Sequence, residues 1–159
     1  MPIQTALAID VGRARVGVAY SSKNSEIALP LATFERTTVE YFAVSLESQL
    51  ADISIEASDI GVIYVGLPLN LSGTKTASTT DAIEFAAQLS GYFNAEIRLI
   101  DERFSTTIAN RTLQDSQRNQ KQARSFIDQM AAIEILNHAN AISERTGNPA
   151  GNPIDDWIE

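Results

Sequence analysis

The chain has 159 residues and no cysteine. Disulfides, a thiol nucleophile and cysteine-ligated zinc are therefore excluded. It holds one histidine, so any metal would rest mainly on oxygen ligands. No apolar run approaches the roughly 18 residues that a membrane span requires, which argues against a membrane partner. The opening Met1-Pro2-Ile3-Gln4 lacks the basic stretch and long apolar run of a signal peptide. A cytoplasmic location is the expectation. Positive charge is scarce as well, with 12 Lys and Arg against 20 Asp and Glu and a net charge of −8. That argues against a general nucleic-acid coat protein, which depends on Lys and Arg.

The scarcity is not uniform. Arg111, Arg118, Lys121 and Arg124 face a single acid, Asp115, in one segment. A local basic arm on an acidic body is compatible with nucleic acid, although composition alone slightly favours a solvated loop. Length and composition suit one domain over residues 1–147, followed by a short acidic tail at 148–159.

Thr5 to Ser22 reads as a β-hairpin, two apolar runs around Gly12-Arg13-Ala14-Arg15. Glu26 to Phe34 reads as a third strand, with Pro30 placing it at a sheet edge. Thr37 or Thr38 caps a helix with apolar positions Val39, Phe42, Ala43, Leu46, Leu50 and Ile53. Asp59 to Gly66 is a strand of the kind buried on both faces. A second helix spans about Thr76 to Tyr92, and a fifth strand spans Glu96 to Ile100. Ser105 or Thr106 caps a short helix to about Leu113, and Gln114 to Gln122 reads as a loop. A last helix runs from about Ser125 to Arg145. The order β-β-β-α-β-α-β-α-α predicts an α/β fold. Its mixed five-stranded sheet has three antiparallel strands, then two parallel ones, with helices on both faces.

In such sheets ligands gather outside the carboxyl ends of the parallel strands. Asp10, Asn70, and Asp101-Glu102-Arg103 all lie at such ends. Asp128 heads the core-facing stripe Ala131, Ala132, Ile135, Ala139 and Ile142, although a first-turn Asp also serves the helix dipole. Convergent carboxylates repel one another unless a cation neutralises them. An all-oxygen set suits Mg²⁺ or Mn²⁺, and two ions with substrate bound would serve phosphodiester hydrolysis.

Four motifs resemble the YqgF/RuvX family of Holliday-junction-resolvase-like nucleases. They are Asp10-x-Gly12-x-x-Arg15-x-Gly17-x-Ala19, then Val65 to Asn70 with Gly73-Thr74. Asp101-Glu102-Arg103 with Ser105-Thr106-Thr107 follows, and last comes Asp128-x-x-Ala131-Ala132 before Ile135-Leu136. Each is weak alone, but four in order over residues 6–136 are specific. The resemblance implies a ribonuclease-H-like fold. It also implies a nuclease that matures the 5′ end of precursor 16S rRNA, with precursor particles as partners and branched DNA as the older alternative. Asp10, Glu102 and Asp128 would be catalytic, and Asp101 or Glu102 would complete the metal ligands, with Glu102 preferred for its reach. Arg13, Arg15, Asn70, Lys75, Arg103, Arg111, Arg118, Lys121 and Arg124 are the nucleic-acid candidates. Ala14 departs from the family's usual Lys or Arg there, which also favours a second reading, a binding or assembly factor without turnover. An actin-like ATPase would need two domains, too many for 159 residues. His138 is expected to be peripheral, and Trp157 a packing anchor.

Overall fold

Strand alternation sets the architecture. The computed structural model describes residues 4–102 and 120–158. In β1 (Thr5–Val11), Leu7 and Ile9 join one core cluster and Ala6 and Ala8 join another, because successive side chains of a strand point to opposite faces. β2 (Arg15–Ser21) divides the same way, Val16 and Val18 to the first cluster and Ala19 to the second. β3 (Leu29–Glu35), β4 (Ile60–Leu67) and β5 (Glu96–Asp101) extend the sheet, with β6 (Asn152–Pro153) at its far edge. The strand order is β3-β2-β1-β4-β5-β6. β2 and β3 run antiparallel to their neighbours, whereas β4 and β5 run parallel to β1.

The first cluster lies under α1 (Val39–Asp52) and α2 (Ala77–Leu89), through Phe42, Leu46, Leu50, Phe85 and Leu89. The second lies under α3 (Gln120–Thr146), through Ala132, Ile135, Leu136 and Ala139. Alanine dominates this second face on both sides, so α3 approaches the sheet closely.

Three expectations are corrected. The sheet has six strands among the described residues, not five, since Asn152 and Pro153 pair with Leu99 and Arg98. Two residues are too few for a periodic signal. β3 starts at Leu29 rather than Glu26, because the Ile27 amide bonds Ser25 Oγ (3.2 Å) instead of a strand partner. α3 is already helical at Gln120, within the stretch expected to be a loop. Gln, Lys, Ala and Arg are good helix formers, and propensity sufficed there without an apolar stripe. Pro30 does lie on an edge strand, and Thr38 rather than Thr37 is the α1 cap, accepting from the Tyr41 amide at 3.1 Å. The expected short helix near residues 105–113 lies outside the described residues. No helix among those described is long and apolar enough to cross a membrane.

Candidate active site

Asp10 continues the Ala6–Ala8 side of β1, so its carboxylate lies on the α3 face. It pairs across the ladder with Gly17 of β2, and on its other side it follows the last paired residues of β1 and β4, Ile9 and Val65. The next residue of β4 is Gly66. Asp10 is thus flanked by two glycines, and each seats another acidic residue.

Gly17 seats Asp128. A Cβ at Gly17 would lie 2.2 Å from the Asp128 carbonyl oxygen and 3.0 Å from its Cβ. The bare strand is therefore what lets α3 bring Asp128 to Asp10. Gly66 seats Glu102, whose Oε2 would lie 2.6 Å from a Cβ there, with Ile135 Cδ1 at 2.7 Å. Strand pairing runs on past β5 through the Glu102 amide to the Leu67 carbonyl at 3.3 Å. Parity then separates two neighbouring carboxylates. Ile100 belongs to the α3-side cluster, so Glu102 shares its face, while Asp101 is exposed on the other.

The electrostatics agree with this crowding. Burial, then the Asp128 charge, pushes the Asp10 carboxyl up to about 6. Burial, then Asp10, Asp101 and Glu134, pushes Glu102 up to about 8. Glu134, one of the residues sequence reasoning missed, is itself raised by burial, and its buried Oε2 has no hydrogen-bond partner among the described residues. Its position off the Asp128 stripe gave no signal. Asp128 accepts from Arg15, Nε to Oδ2 at 2.8 Å. It stands in the third turn of α3, not the first, so the helix dipole does not explain it.

Arg15 belongs to a turn held by a second arginine that the sequence did not reveal. Arg36 donates to the Gly12 carbonyl at 2.8 Å and forks onto both Asp81 oxygens at 2.9 and 2.7 Å. Its guanidinium also lies over the Phe85 ring, 5.2 Å from the centroid. The Arg36 hydrogen bond, aided by Arg13, lowers the Asp81 carboxyl. Arg13 itself is exposed on that turn.

The other candidates are more scattered. Asn70 Oδ1 is occupied by its own turn, accepting from the Ser72 and Thr74 amides at 3.1 and 2.8 Å. Lys75 Nζ lies 5.4 Å from the Trp157 ring centroid, and that ring packs against the core. Arg103, Arg111 and Arg118 lie outside the described residues. Lys121 and Arg124 are on α3 rather than on a loop. A cleft of about 650 Å³ opens beside Glu102, lined by Leu67, Leu69, Ile142 and Trp157, with exposed His138 at its wall.

Among the described residues no three acidic or histidine side chains yet stand together as a ready metal cage. The donor chemistry nevertheless fits a hard cation. Asp10 and Glu102 are crowded carboxylates on one face, and Asp128 adjoins them while engaged by Arg15. Gly66→Ala tests this arrangement. The three atoms nearest the added methyl all lie at the ends of the Glu102 and Ile135 side chains, so the Glu102 carboxylate must move. Melting is expected to stay within a few degrees of wild type, while the nuclease activity that the sequence resemblance implies falls by about a hundredfold. Full activity in that variant would remove Glu102 from the site.

Residues 4–139 match the family described as RuvX, Holliday junction resolvase. A Leifsonia xyli protein named "Putative pre-16S rRNA nuclease" is 41% identical over 154 residues, covering 96% of this chain and 95% of its own. A Koribacter versatilis protein of the same name is 36% identical over 148 residues, covering 93% and 92%. Among solved structures, Thermus thermophilus RuvC in complex with a Holliday junction matches at a TM-score of 0.52 and 12% identity. That match covers 94% of this chain and 99% of RuvC, a likeness of fold.

Proposed function

Because this chain belongs to the RuvX family, we propose that it is a nuclease that hydrolyses phosphodiester bonds of precursor 16S rRNA at a divalent-metal site on its ribonuclease-H-like fold. The observation that carries the catalytic assignment is the placement of Asp10 between Gly17 and Gly66, with Asp128 and Glu102 seated on them. These three carboxylates would hold Mg²⁺ or Mn²⁺, with Asp101 in reserve at the end of β5. The cation would acidify an attacking water and neutralise charge on the phosphate and leaving oxygen. Asp10 and Glu102 give up their protons on binding it, so metal affinity should weaken as pH falls through the Glu102 value of about 8. Arg13 and Arg15 would position the phosphate backbone from the Arg36-braced turn. Arg103, Arg111, Arg118, Lys121 and Arg124 would extend that contact along the strand. Precursor ribosomal particles are the natural setting for such a substrate.

The test is cleavage of precursor 16S rRNA with mapped ends, by wild type and Asp10→Asn, beside a four-way DNA junction. Mg²⁺-dependent cuts at the mature 5′ end, absent in the variant, are expected. Cuts confined to the junction would replace the substrate. Equal activity with and without Asp10 would refute the site.

A further inference from the structure

We propose that Arg15 is a built-in stand-in for the metal and couples nucleic-acid binding to metal binding: it holds Asp128 until a phosphate draws it away. This rests on the nuclease reading above and adds a rule for how its site fills. Arg15 Nε lies 2.8 Å from Asp128 Oδ2, in a pair where Asp128 is 16% exposed and Arg15 33%. The carboxylate is enclosed, while the guanidinium still reaches solvent. A dication and a guanidinium cannot share one enclosed carboxylate without mutual repulsion. A phosphodiester, by contrast, offers the guanidinium another anionic acceptor, one that its fork can engage with two bonds.

Arg15 stands on the same face of β2 as Gly17, directly beside the seat of Asp128, and its turn is fixed by Arg36 on Gly12. A swing of the side chain is therefore enough to exchange partners, and the backbone can stay still. Nucleic acid and metal then favour the same arrangement, Arg15 on phosphate and Asp128 free. Each must raise the affinity for the other by the same factor.

Mn²⁺ binding is measured by electron paramagnetic resonance, with and without a phosphorothioate RNA of the precursor sequence, for wild type and Arg15→Gln. Wild type is expected to bind Mn²⁺ about tenfold more tightly with RNA present, and RNA about tenfold more tightly with Mn²⁺. Arg15→Gln is expected to bind Mn²⁺ about tenfold more tightly than wild type without RNA, with a coupling factor near one. Arg15→Lys keeps the charge and should keep the weak affinity of the free protein, which separates the pairing from a folding defect. Unchanged or weaker Mn²⁺ binding by Arg15→Gln with coupling intact overturns the proposal. Wild type that binds no Mn²⁺ in either state, like an Asp128→Asn control, overturns the metal-nuclease reading itself.

Discussion

Asp10→Asn is expected to reduce metal-dependent cleavage by about a hundredfold to a thousandfold, the range for losing a main electrostatic element of a site, while making the metal-free protein more stable at pH 8. The second half follows from the direction of the shifts. Asp10 rises from 3.8 to about 6 and Glu102 from 4.5 to about 8. A carboxyl raised by folding holds its proton longer in the native state than in the unfolded chain. Stability of the metal-free protein therefore falls as pH climbs from about 4 to about 8, and the loss is complete above the Glu102 value. Removing the Asp10 charge also relieves Glu102, so both the loss and its slope should shrink. Asp81 is lowered, so its contribution persists above the ordinary carboxylate range and disappears only in acid. It does not disturb the window from pH 5 to 8. Thermal melts across that window, with EDTA and then with Mg²⁺, read the effect. Mg²⁺ should restore wild type most at pH 8. A variant that is inactive but less stable at pH 8 would mean that Asp10 is structural.

Gly17→Ala should be damaging in a different way. The new methyl meets the Asp128 carbonyl oxygen and carbon at 2.2 and 2.5 Å, atoms of the α3 backbone that no rotamer can withdraw. The helix must retreat from β2, opening its packing on Ala19 and the alanines of β1. A cost of about 3 kcal/mol is expected, at the upper end for overpacking. For a domain of this size that lowers melting by roughly 10 °C. Cleavage should fall with it, since Asp128 leaves Asp10. Gly91→Ala supplies the control, because its methyl meets nothing nearer than 3.4 Å and should change stability by less than about 0.5 kcal/mol. Wild-type melting and activity in Gly17→Ala would disprove the close seat.

Local signals in this sequence were strong where burial is periodic. The hairpin, the α1 stripe from Val39 to Leu50 and the inward row from Asp128 follow from side-chain periods of 2 and 3.6. Even the choice between Asp101 and Glu102 was legible in principle, since Ile97 and Leu99 share one face and Ile100 and Glu102 the other. The longer reach of Glu102 was a weaker ground than this parity. What could not be read is pairing across distance. Nothing local marks Arg36 as the partner of Asp81, 45 residues on, or Arg15 as the holder of Asp128. Glu134 was invisible for a related reason. It lies off the apolar stripe, where a charged residue normally meets water, yet the fold half-buries it beside Glu102.

Asp128 lies 113 positions after the arginine it binds, and this separation has a consequence for how the protein is born. A chain made on the ribosome presents β1, β2 and their acidic residue early, and the helix that completes the set much later. At ordinary synthesis rates the interval is on the order of ten seconds. Contacts between such distant segments also carry the largest loop-closure cost and tend to form late in folding. Until α3 docks on Gly17, the nascent protein holds only a partial site. On the nuclease reading proposed above, cleavage has to wait until α3 has docked on Gly17 and brought Asp128 to Asp10.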